Sequence, residues 1–173
     1  MRRHLGIVLT PLAVLLALAI LASTAVSETE EVTHEYIGVK KCKMCHKKDG
    51  TFPSWEKTPH ATAWDRLSDE DKKDESLKKY YTTGTNAKGE LLTGVQCEVC
   101  HGPGSDYKKK AVMKDHDKSV AAGLNMPDEK TCLGCHNEKA PPALAKVAKD
   151  FDYKKLQATG VHDLPEDSSA AKK

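Results

Sequence analysis

The chain has 173 residues, with 27 Lys and Arg against 25 Asp and Glu, 39% hydrophobic residues and only 5% aromatic ones. Without Arg2 and Arg3 the balance is 25 basic to 25 acidic residues, so no basic excess points to nucleic acid, and the length suits one domain. So hydrophilic a chain has little apolar surface to set against the entropy of ordering it, which excludes a well-filled core of side chains alone. Small chains in that position add disulfides, metals or another buried apolar body.

In chain order, residues 1–25 read as a secretory signal peptide. Arg2, Arg3 and His4 give a basic start, Leu5 to Ala22 an apolar run, and Ser23-Thr24-Ala25 the small residues of a cleavage site. An uncleaved anchor is the alternative, because about eighteen apolar residues lie at the lower edge of spanning length. The small residues after the run and the lack of a basic stop favour cleavage and a periplasmic location. Residues 26–35 read as a flexible polar tether and 36–164 as the folded domain, which opens with Cys42-Lys43-Met44-Cys45-His46. Thr58 as N-cap and Pro59 as first helical residue predict a helix towards Leu67, with His60 in its first turn. Asp69 to Tyr81 is charged and helix-compatible. Cys97-Glu98-Val99-Cys100-His101 follows, with Pro103 and Gly104 turning the chain after it. Ser105 to Ala122 predicts a helix with His116 near its middle and Gly123 at its end. Cys132-Leu133-Gly134-Cys135-His136 precedes a break at Pro141-Pro142, Asp152 to Ala158 predicts a last short helix, and 165–173 a disordered tail. No β structure beyond a short hairpin is expected. The expected fold class is mainly α and loop-rich.

All six cysteines fall in these three Cys-x-x-Cys-His repeats, the attachment pattern of c-type haem. Two thiols three residues apart on one turn of backbone each form a thioether to the same porphyrin, and the next residue sets an imidazole beneath the iron. Disulfides, favoured in an exported chain, explain neither the repeated His nor the constant spacing. Structural zinc needs a fourth ligand at each site, and thioredoxin-like chemistry needs a βαβ frame that is missing. The expected cofactor is three haems c, attached at Cys42, Cys45, Cys97, Cys100, Cys132 and Cys135, with His46, His101 and His136 as proximal ligands. For the opposite faces there remain His34, His60, His116 and His162, with Met113 and Met126 as alternatives. Methionine ligation raises a haem's potential, so bis-His sites sit lower. Three porphyrins in so short a chain must form much of its core and lie close together.

Tyr36-Ile37-Gly38-Val39-Lys40-Lys41-Cys42, then Trp55-Glu56-Lys57-Thr58-Pro59-His60-Ala61, resembles the opening of the cytochrome c554/c-prime family. Gly94 to Gly104 is similar to its central haem motif. Cys132 to Asn137, followed by Phe151-Asp152-Tyr153 and His162, is similar to its C-terminal portion. The resemblance implies that His60 is the distal ligand of the haem at Cys97 and Cys100, that His116 serves the first haem and His162 the third, with His34 in reserve. The distance of His116 from His101 departs from the family arrangement. Tetrahaem members also carry a further Cys-x-x-Cys-His before a segment like Thr82 to Gly89. Here Leu77, Tyr80 and Tyr81 stand in those places, and none can attach a porphyrin or serve as the expected ligand. The resemblance therefore implies a trihaem variant that has lost the haem with an open axial position, which favours electron transfer over catalysis.

The expected partners are redox proteins, with no nucleic acid, and with membrane contact only if the signal segment is uncleaved. Haem propionates would make the holoprotein acidic, suiting a basic patch on a partner. Two other readings stay open: a small haem reductase or oxidase acting on nitrite, hydroxylamine or nitric oxide at one open iron, and a redox subunit of a larger assembly.

Overall fold

The computed structural model describes residues 33–142, 144, 150–159 and 161–163. The signal peptide, most of the tether and the tail lie outside the described residues. Short helices joined by turns dominate: α1 (Val39–His46), α2 (Thr51–Trp55), α3 (Glu75–Tyr81), α4 (Cys97–His101), α5 (Lys110–Met113), α6 (His116–Ala121), α7 (Glu129–Leu133) and α8 (Tyr153–Thr159). Strands β1 (Thr82–Thr85) and β2 (Leu91–Thr93) pair antiparallel as a hairpin with an irregularity between Thr82 and Gly84. The architecture is mainly α and loop-rich, with the one short hairpin as its described sheet. No helix among the described residues is long and apolar enough to cross a membrane.

Three predicted elements differ from expectation. Residues 58–67 form successive turns, with the N–H groups of Ala61, Ala63 and Leu67 donating three residues back, to the carbonyls of Thr58, His60 and Trp64. Arg66 donates to the Pro59 carbonyl at 2.7 Å and takes up an acceptor that a regular helix would have used. The stretch Asp69 to Tyr81 breaks at Asp74, whose extended backbone and side chain, accepting from the Ser76 N–H, make it the N-cap of α3. A one-turn 3-10 helix, Asp71–Lys73, precedes it. Asp115 likewise divides the helix expected over 105–122, capping α6 by accepting from the Lys118 N–H. His116 therefore begins a helix instead of sitting inside one. Gly123, at φ 95°, follows the end of α6 as expected. His34 and Glu35 are not loose tether: His34 pairs with Asp106, and the Glu35 backbone exchanges hydrogen bonds with Ser105.

Among the described residues the buried hydrophobic side chains are Phe52, Ala63, Leu67, Leu77, Tyr81 and Tyr107. Ala63, Leu67, Leu77 and Tyr81 form one cluster, with Trp64, Tyr80, Val95 and Leu144 packed against it. Leu77, Tyr80 and Tyr81, where the resemblance places a further attachment site, thus belong to an apolar cluster. That is a small core for a chain of this length, as the composition anticipates.

Candidate functional site

Each Cys-x-x-Cys-His motif lies on a helical turn. In α1 and α4 the motif runs to the last helical residue, His46 or His101. Cys132 lies in α7, whose capping box pairs Asp128 with Thr131, and the chain then turns through Cys135 to His136. Helical backbone sets both thiols and the imidazole of one motif on neighbouring turns.

The motifs are drawn together. Glu98, inside the second motif and 1% exposed, accepts the N–H groups of Ile37, Gly38 and Gly104. It ties the start of α1 to the turn after α4. The thiols of Cys42 and Cys97 share a hydrogen bond, which raises Cys42 above the ordinary thiol range and lowers Cys97. Burial pushes Cys100 up to about 11, and the nearby Cys132 and Cys135 add to that effect. The second motif therefore sits between the first and the third. No disulfide joins any of the six cysteines. Among the described residues no group of three or more His, Cys, Asp or Glu gathers as a metal cage.

Two histidine couples follow. His60 faces His136 with ring centres 6.0 Å apart, and His101 faces His162 at the same 6.0 Å. A metal bonded to one nitrogen of each ring at about 2 Å separates two ring centres by about 6 Å. Both distances fit one iron between two imidazoles. Burial is the main reason that His60 is held down at about 4, with His136 and Arg66 adding to it, and burial likewise lowers His101. Near neutrality both rings keep a lone pair for a metal. The couples exchange the expected order: His60 stands at the third motif instead of the second, and His162 at the second instead of the third.

The remaining histidines lie elsewhere. Nδ1 of His46 is 2.7 Å from Asp49 Oδ2. His34 is 2.7 Å from Asp106, and His116, its side chain 56% exposed, is 3.3 Å from Asp117. Among the described residues no ring contact joins His116 or His34 to His46. Sequence reading also missed the groups that orient the proximal rings. The Asn125 carbonyl accepts from His101 Nδ1 at 3.0 Å, while the Asn125 side chain donates to the Cys100 carbonyl at 2.7 Å. Phe151 stacks on His136 with ring centres 4.6 Å apart. Asp49, three residues beyond His46, was the one readable at a glance, since a carboxylate there reaches Nδ1 across a single turn.

The family model described as cytochrome c554 and c-prime matches residues 41–88 and 76–102. Cytochrome c-554 of Nitrosomonas europaea is 32% identical over 134 residues, covering 57% of this chain and 56% of that protein. A solved structure, the reduced state of cytochrome c554 from Nitrosomonas europaea, shares the fold at a TM-score of 0.51 and 22% identity, covering 77% of this chain and 86% of that one. The chain resembles the cytochrome c554 and c-prime family over residues 41–102. It spans a little over half the length of the curated relative it matches.

Cytochromes c hold haem c covalently, and the donors in this chain fit that group. Each motif offers two thiols for thioethers and one imidazole for iron, and two of the three imidazoles already face a second ring at the separation that iron requires.

Proposed function

We propose that this chain is an exported electron-transfer cytochrome holding three haems c, at Cys42/Cys45/His46, Cys97/Cys100/His101 and Cys132/Cys135/His136. The observation that carries this reading is the pair of imidazole couples, His60 with His136 and His101 with His162, each 6.0 Å between ring centres. A haem held between two such rings supplies an iron that takes up and returns one electron. The chain's own residues do the rest. Six thiols fix the groups covalently, so none is lost when a redox partner docks and leaves. The Asn125 carbonyl and the Phe151 ring hold His101 and His136 in orientation. Glu98 ties the start of α1 to the second motif, which keeps the groups attached at those two motifs close. Redox proteins with a basic docking patch are the partners that suit a neutral polypeptide carrying propionates.

Electron paramagnetic resonance of the ferric holoprotein tests this reading. His60→Ala and His162→Ala each remove one low-spin bis-imidazole signal, His60→Ala that of the third motif and His162→Ala that of the second. Retention of every low-spin signal in both variants contradicts the ligation.

A further inference from the structure

We infer that Ser54 is a positioning residue for His162, holding that imidazole opposite His101 from α2, the helix next to the first motif. The inference rests on the ligation proposed above.

His162 stands in a segment with little packing of its own. Val161 before it is 39% exposed, and Asp163 after it is exposed. Ser54 reaches across from 109 residues earlier, and its Oγ accepts the Asp163 N–H at 2.8 Å. The hydroxyl is aimed for that role. Its proton goes to the Thr51 carbonyl at 3.0 Å, which leaves a lone pair for the N–H. His162 Nδ1 then donates to the carbonyl of the same Asp163 at 3.0 Å. A carbonyl only accepts, so this bond fixes the tautomer that keeps Nε2 unprotonated and free for a metal.

The helix beneath Ser54 is itself held by the first motif. Phe52 of α2 is 6% exposed, and Nζ of Lys43, inside that motif, lies 4.5 Å over its ring. Asp49 accepts the Thr51 N–H through Oδ1 at 3.0 Å, and its Oδ2 lies 2.7 Å from His46 Nδ1. One run of hydrogen bonds therefore leads from His46 through Asp49, Thr51, Ser54 and Asp163 to His162. A single short helix thus serves as the reference for the proximal ring of the first motif and for the second ring facing the second motif. Loss of one such hydrogen bond raises the share of chains with His162 detached by roughly three- to tenfold.

Displacement of His162 by cyanide in the ferric holoprotein, followed by the loss of the second motif's low-spin resonance, tests the inference. Cyanide enters only where His162 has left, so the rate reports the detached share. Ser54→Ala is expected to speed displacement by roughly three- to tenfold. Ser54→Thr keeps the hydroxyl and is expected to hold the parent rate. The His60–His136 signal is expected to respond at the parent rate in both variants. Hydrogen exchange of the Asp163 amide is expected to rise in Ser54→Ala and not in Ser54→Thr. An unchanged displacement rate in Ser54→Ala overturns the inference. Equal acceleration in both variants assigns the effect to packing within α2, and equal acceleration at both imidazole couples assigns it to general loosening; either overturns it. If His162→Ala leaves the second motif's signal in place, the ligation reading fails and this inference with it.

Discussion

Glu98, in the second motif, accepts the N–H of Gly38, the residue that precedes the helix of the first motif, at 2.7 Å. The same buried carboxylate takes the N–H groups of Ile37 and Gly104 at 2.9 and 2.7 Å. A carboxylate offers acceptors only, which suits three converging donors. Glu98→Gln places an NH2 group against some of them and removes the charge that strengthens the rest. It is expected to cost about 3 kcal/mol of stability, read by denaturant unfolding of the holoprotein. An unchanged midpoint contradicts the bracing role.

Gly104 reaches the same carboxylate from the other side. A Cβ there would stand 2.8 Å from Ile37 Cδ1 and 3.1 Å from Glu98 Oε1. Gly104→Ala is therefore expected to destabilise the fold by about 1–3 kcal/mol through overpacking, whereas Gly89→Ala meets no neighbouring atom and is limited to the strain of its positive φ. Thermal unfolding of the two variants side by side separates these causes.

Much of this was legible in the sequence, and the rest was not for definable reasons. Three Cys-x-x-Cys-His repeats announce their helical turns, because one turn of backbone is what the chemistry needs. The hairpin limit and the glycine after α6 follow from local rules. Breaks at Asp74 and Asp115 turn on whether a mid-segment aspartate bonds the backbone ahead of it, a local choice that composition leaves open. Residues 58–67 lose their helix to the cluster that draws in Ala63 and Leu67. The histidine couples are the sharpest case. The resemblance implies His60 with the second motif and His162 with the third, but which ring faces which depends on how distant segments dock.

Leu77 and Tyr81 are 6% and 5% exposed at the position the resemblance gives to another attachment site. They and their neighbours supply most of the described side-chain core. Leu77→Ala is expected to cost about 2–5 kcal/mol, with haem content unchanged, as measured by unfolding and by pyridine haemochrome absorbance. A variant that unfolds no more easily than the parent means that Leu77 carries no such burden.

So small a side-chain core makes the attached groups structural. With all six cysteines replaced by serine, the chain is expected to lose most of its helical circular dichroism and to unfold without a cooperative transition. A cooperative transition in that variant contradicts the dependence of the fold on attachment.

Intact mass of the matured protein under denaturing conditions tests whether the three motifs hold three covalent groups. Thioethers survive denaturation, so the predicted result is the polypeptide mass plus three haems in a single species. A bare polypeptide, or a species with one or two haems after full maturation, contradicts it.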